Sequence, residues 1–198
     1  MKLVNATCRS LCSTLLFVSG AVAWAFFISA ILQAQQPKPS EYQVKAAYLY
    51  NFGRFVKWPP KAAGQESSFA ICVLGHDPFG AVLDSTLVGK VLDGKPVVIK
   101  RLSKLQDAAN CRILFIDPGQ GNHLKDILPA LNQASVLTVS DMPDFSQRGG
   151  MIQFVLEENR VRFKVNLTST ENAGLMLSSE LLKVASSVKG NSRSGTGG

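Results

Sequence analysis

Three short apolar runs constrain this chain most. They are Phe69-Ala-Ile-Cys-Val-Leu74, Cys111-Arg-Ile-Leu-Phe-Ile116 and Ser135-Val-Leu-Thr-Val139. Each is four to six residues of nearly unbroken hydrophobicity, the pattern of a strand covered on both faces rather than one. A sheet buried on both faces needs helices above and below it. The segments between the runs supply them. A helix start at His76-Asp77-Pro78 carries Phe79, Val82, Leu83 and Leu87, and one over about residues 122–133 carries Leu124, Ile127, Leu128 and Leu131. Pro96-Val-Val-Ile-Lys100 adds a fourth strand.

Ahead of these, Ser40 and Gln43 form a capping box. Val44, Ala47, Tyr48, Phe52, Phe55 and Val56 then follow at helical spacing until Trp58-Pro59-Pro60 stops the helix. Behind them the period changes to two. Residues 151–156 and 161–167 alternate around Glu157-Glu158-Asn159-Arg160, which predicts an antiparallel hairpin. A second capping box, Thr168 with Glu171, predicts a last helix with Leu177, Leu181, Val184 and Val188 on its inner side, ending at Gly190. The expected fold is a three-layer α/β sandwich. Its central sheet is mostly parallel, with the C-terminal hairpin on an edge and helices on both sides. The domain runs over residues 41–189, with a linker at 35–40 and a flexible tail at 190–198.

Residues 1–34 stand apart. Lys2 and Arg9 precede an apolar stretch from Leu11 to Leu32, and no charge appears again until Lys38. A basic start followed by an apolar run reads as a secretory signal, with cleavage after Leu32-Gln33-Ala34. An uncleaved membrane anchor is the alternative, because the run is about 20 residues long. Either way the domain is expected in the periplasm. Removing the segment takes away two cations, so the net charge falls from +7 to +5. The remaining cations are scattered, which argues against nucleic acid as a partner. Cys72 and Cys111 are the cysteines left in the mature chain. In an oxidising compartment an even pair suggests one disulfide, and two buried thiols are the alternative.

The search for chemistry returns little. Gly119-Gln-Gly121 follows a strand, yet position 124, where a dinucleotide loop needs a third glycine, is Leu124. His76-Asp77 and His123 with Asp126 lie in loops at strand ends. Neither pair has the third member that a triad or a metal site requires. The loop Asp141–Gly150 is richer, with Asp141, Asp144, Phe145 and Arg148. Arg148 is a candidate grip for an anionic group, and Gly149-Gly150 permits close backbone approach. The competing reading is a folded crossover whose charges neutralise one another. Tyr50 and Trp58 lie outside the core stripe of the first helix, which makes them candidate partner contacts. No catalytic centre, metal site or cofactor is expected.

Taken together, several ordered segments resemble the YfiR family (DUF4154). They are Ala46–Phe52 with Phe55–Pro59, Ile71–Gly75, Pro78–Gly80, Cys111–Ile116, Leu137–Asp141, Phe145, Gly149–Ile152, Arg162–Asn166 and Ser178–Leu182. The resemblance covers about residues 41–186. It implies a periplasmic regulator rather than an enzyme. The best-known type of member represses an inner-membrane diguanylate cyclase, and an outer-membrane lipoprotein relieves that repression, raising cyclic-di-GMP and biofilm output. Cys72 and Cys111 match cysteine positions of the family. The second disulfide of that type, near the hairpin, is missing here, and Arg112 stands where the family strand usually has His. The expected partners are therefore an inner-membrane signalling protein and an outer-membrane lipoprotein, with a homodimer left open. A small-ligand sensor or an accessory protein of another membrane system is the alternative function.

Overall fold

A computed structural model describes residues 39–60, 67–131 and 134–190. The expected signal, most of the linker and the tail lie outside the described residues. Helix α1 spans Glu41–Phe55. Its capping box forms as expected: Ser40 Oγ accepts from the Gln43 N–H, and Gln43 Oε1 accepts from the Ser40 N–H at 2.7 Å. The chain turns extended at Val56, ahead of the prolines.

The strands are β1 (Val56–Lys57), β2 (Phe69–Leu74), β3 (Val91–Leu92), β4 (Lys95–Leu102), β5 (Ile113–Ile116), β6 (Leu137–Ser140), β7 (Ile152–Glu157), β8 (Arg160–Asn166), β9 (Met176–Leu177) and β10 (Ser187–Lys189). The later helices are α2 (Ala81–Leu87), α3 (Leu124–Leu131), α4 (Leu167–Asn172) and α5 (Ser179–Val184). Tight 3-10 turns cover Leu105–Asn110 and Pro118–His123. Eight strands form one sheet in the order β10-β8-β7-β6-β5-β2-β4-β3, and β1 pairs with β9 apart from it. The pairs β2–β4, β2–β5, β5–β6 and β6–β7 are parallel. This is the expected α/β sandwich. The hairpin lies one strand in from the edge rather than on it, because β10 is laid parallel against the outer side of β8.

Alternation along β2 divides the interior in two. Phe69, Ile71 and Val73 join one apolar cluster with α1 and α2, and Ala70, Cys72 and Leu74 join the other with α3. That is why the run read as continuous: both sets of side chains are covered. Aromatic rings knit the first cluster, with Phe52 in edge-on contact with Phe163 and stacked with Phe154. Each such ring buried completely stabilises the fold by roughly 1.5–3 kcal/mol. The Cys72–Cys111 disulfide lies in the second cluster, fully buried, and spans 6.0 Å between Cα atoms.

The expectation of one long final helix is wrong. Instead α4 ends at Asn172, Gly174 takes a left-handed φ of 72°, and the chain runs through β9 before α5 and β10. The N–H groups of Gly174 and Leu175 bond back to Glu171 and Thr170, the closure that a left-handed residue allows at a helix end. Val184 and Val188, expected inside, are 52% and 43% exposed. The Thr168–Glu171 box is also displaced, because Asn166 caps α4 by accepting from the Ser169 N–H. The helix expected over 122–133 is in fact a 3-10 turn at Pro118–His123 followed by α3.

Candidate functional site

In a mostly parallel sheet the default place for a ligand is the crevice at the carboxyl ends of two neighbouring strands whose connections leave on opposite faces. Here those strands are β2 and β5. The chain leaves β2 for α2, whose Leu83 and Leu87 pack on the first cluster, and leaves β5 for α3, which packs on the second. The crevice is filled by the protein itself. A Cβ on Gly75 would lie 3.0 Å from both Asp117 Cβ and Gln120 Nε2. Asp117 Oδ2 accepts from the Gly119 N–H at 3.0 Å, setting a carboxylate where a phosphate loop would present an amide. The Gly119–Gly121 segment is therefore a capped 3-10 turn.

The histidines stay apart from any acid partner of use. His76 is exposed, and Asp77 is engaged elsewhere: Oδ1 accepts from the Phe79 N–H and Oδ2 pairs with Arg101 at 2.7 Å. Arg101 also reaches Asp84, whose carboxyl its hydrogen bond holds below the usual range. His123 is exposed beside α3, and no cluster of three potential metal ligands occurs among the described residues.

The structure does bring Asp141 into a cluster that the sequence reading missed. Asp141 follows β6, and its Oδ2 lies 2.6 Å from the Lys45 Nζ of α1. Lys45 also pairs with Glu41 one turn earlier, stands 4.5 Å from the centre of the Tyr42 ring, and is 3% exposed. The Tyr42 hydroxyl donates to the same carboxylate at 3.4 Å. Burial drives the Lys45 ammonium down, yet its hydrogen bonds to Asp141 and Glu41 outweigh that, and the net shift is upward. Burial, and then the neighbouring Asp141 charge, raises the Tyr42 hydroxyl as well. Asp141 Oδ1 is buried without a partner among the described residues. Lys45 is one of the scattered cations of the sequence. Its one clue was its place on the buried face of a helix, at i+4 from Glu41.

The remaining expected residues divide. Phe145 is fully buried, its ring packed against Gly150, where an added Cβ would collide with it. It is a core residue, out of reach of a partner. Asp144 is exposed, with a left-handed φ of 57°. Arg148 folds back over the 3-10 turn, donating to the Gly121 carbonyl at 2.6 Å and to Met142 Sδ at 3.2 Å. It borders a cavity of about 340 Å³ between α3 and α4. Tyr50 is half-buried, its hydroxyl 3.4 Å from the Val91 carbonyl and its ring under Lys90. Around it Val88 and Val91 are 77% and 54% exposed. Trp58 meets Phe69 edge-on at the amino end of the strands, near the exposed Met176 of β9.

With this geometry in hand, comparison with known proteins is decisive on one point. The model of the DUF4154 family, YfiR/HmsC-like, matches residues 42–186. The chain belongs to that family. It is a family of periplasmic regulators and is non-catalytic. No curated protein matches the chain. Among solved structures, a conserved domain protein from Vibrio cholerae O1 biovar El Tor is similar at 15% identity with a TM-score of 0.51. That match covers 76% of this chain and 60% of the other, so this YfiR/HmsC-like chain spans less than two thirds of the Vibrio structure. The likeness concerns the fold alone. A weaker match, at 10% identity and TM-score 0.44, is the ABC domain in complex with L-Trp from Streptococcus pneumoniae; it covers 63% of this chain and 56% of that one. Among the described residues no helix is long and apolar enough to cross a membrane.

Proposed function

We propose that this protein is a periplasmic regulatory binding protein that acts by contact with an inner-membrane signalling protein, in the manner of the family members that repress a diguanylate cyclase. An outer-membrane lipoprotein that sequesters it is the corresponding antagonist. Family membership over nearly the whole folded region supports the class. The observation that carries the contact is the exposed apolar edge of Val88 and Val91 beside Tyr50. Two large aliphatic side chains more than half exposed, next to an aromatic ring with a polar tip, have the composition of an interface centre. Lys90 at the rim adds a cation that steers approach rather than binding strength.

The test is photo-crosslinking from position 91 in intact envelopes, together with cyclic-di-GMP measurement in cells lacking the protein. The expected result is a covalent adduct with an inner-membrane protein and a raised cyclic-di-GMP level on deletion. Val88→Asp should abolish the adduct without changing the melting temperature, since Val88 is solvent-exposed. Adducts only with a second copy of the chain, and an unchanged cyclic-di-GMP level, would overturn the reading. A second reading, a sensor of a small ligand, is favoured by the cavity at Arg148.

A further inference from the structure

The cavity between α3 and α4 has an unusual electrostatic character. Its wall includes Lys125 and Arg148, the polar Ser169 and Asn172, and the apolar Leu128 and Met151, and among the described residues no acid lines it. Arg148 is exposed, yet its side chain is held. Its guanidinium is fixed by two neutral acceptors, the Gly121 carbonyl and the Met142 sulfur, and it pairs with no carboxylate among the described residues. By contrast, Lys45 has Glu41 and Asp141 beside it, and Arg101 has Asp77 and Asp84. A guanidinium held rigid without a counter-ion has already lost the rotamer freedom that anion binding otherwise costs.

The backbone favours the same arrangement. Gly149 takes φ 102°, a conformation closed to most side chains, and this turns the chain so that Arg148 and Gly149 both line the cavity. A Cβ at Gly149 would stand 3.4 Å from Leu128 Cδ1. At about 340 Å³ the space is at the small end of ligand cavities.

We propose that this cavity binds a compact organic carboxylate. Arg148 and Lys125 hold the anionic end, Ser169 and Asn172 bond its remaining oxygen sites, and Leu128 and Met151 cover a short apolar body. The proposal deepens the sensor reading and is independent of the partner contact, because the Val88–Val91 edge runs from the end of α2 into β3, outside the cavity wall.

Sodium benzoate and its neutral isostere benzamide are the probes, titrated into the purified protein and followed by amide chemical shifts. Benzoate should perturb Gly149, Leu128 and Ser169 and bind about tenfold or more tightly than benzamide, the difference expected when a carboxylate accepts charge-assisted hydrogen bonds. Arg148→Gln should remove that preference, and Arg148→Lys should restore part of it. Inorganic phosphate is the control for charge alone, and it should bind less tightly than benzoate. Equal affinity for benzoate and benzamide in the unmodified protein would overturn the proposal, as would shifts confined to other surfaces. Phosphate binding as tight as benzoate would overturn the role given to Leu128 and Met151. None of these readings involves a protein partner, so their failure leaves the crosslinking test untouched.

Discussion

Lys45 shows how much one side chain can carry. A lysine ammonium this deeply covered is tolerated only because Asp141 and Glu41 sit against it. Removing one partner of such a buried pair strands the other, at a cost of about 3–5 kcal/mol. Lys45→Met should therefore destabilise the fold by about 3 kcal/mol in chemical denaturation, leaving the Asp141 carboxylate with the Tyr42 hydroxyl alone. The pH dependence has a definite sign. Both Lys45 and Tyr42 are raised above their ordinary values of 10.5 and 10.0. A raised folded-state value favours the folded protein below the unfolded-state value, and that stability is lost as pH rises through the folded one. Thermal stability should thus be flat across neutral pH as far as this cluster is concerned and fall above about pH 10. In Lys45→Met the lysine part of that fall disappears. An unaltered alkaline limb in the variant would show that the cluster does not govern it.

The elements were legible wherever local chemistry and burial agreed. Ser40 with Gln43 opened α1 as expected, and the apolar runs became β2, β5 and β6 because covered strands leave no polar alternation to misread. The hairpin was legible by its period of two, and its turn residues Glu158 and Asn159 both adopt left-handed φ values, as a tight two-residue connection demands. Two signals were present and unread. Asp93-Gly94 makes the β3–β4 hairpin with φ values of 49° and 73°, and Gly174 ends α4. The last helix failed because apolar residues at helical spacing also fit a broken path of short pieces. The single glycine decided between the two. Gly174→Ala tests this at small scale. No neighbour blocks the added methyl, the nearest atom being Pro59 Cγ at 3.6 Å, so the cost is the backbone strain alone, about 1 kcal/mol. Melting should fall by about 2–4 °C. Amide exchange should quicken at Met176 and Leu177, where β9 pairs with β1. A melting temperature equal to that of the parent would mean the left-handed turn is not required. The site was less legible than the fold, because Asp141 is nearly a hundred residues from Tyr42 and Lys45 in the chain and meets them only through tertiary packing.

At the scale of the molecule the parallel sheet sets the problem that the disulfide answers. Parallel neighbours need long crossovers, and closing them costs chain entropy before any contact repays it. Cys72 on β2 and Cys111 just ahead of β5 join adjacent strands across 39 residues of sequence, enclosing α2 and the β3–β4 hairpin. The bond thereby restricts the unfolded chain over the whole connection that leaves β2 and returns to β5. For a loop of that length the chain-entropy model gives about 4 kcal/mol. Because both sulfurs belong to fully buried residues, dithiothreitol alone should react slowly with the native protein and rapidly once denaturant opens it. The double variant Cys72→Ala with Cys111→Ala should lose about 4 kcal/mol in denaturant unfolding. At roughly 2–4 °C per kcal/mol, that places its melting point about 8–16 °C lower. Reduced parent protein, alkylated while unfolded and then refolded, should be destabilised to a similar or greater degree. If oxidised parent and double variant unfold at the same denaturant concentration, the bridge contributes nothing. Hydrophobic packing on the two faces of the sheet would then have to hold the β2–β5 crossing unaided.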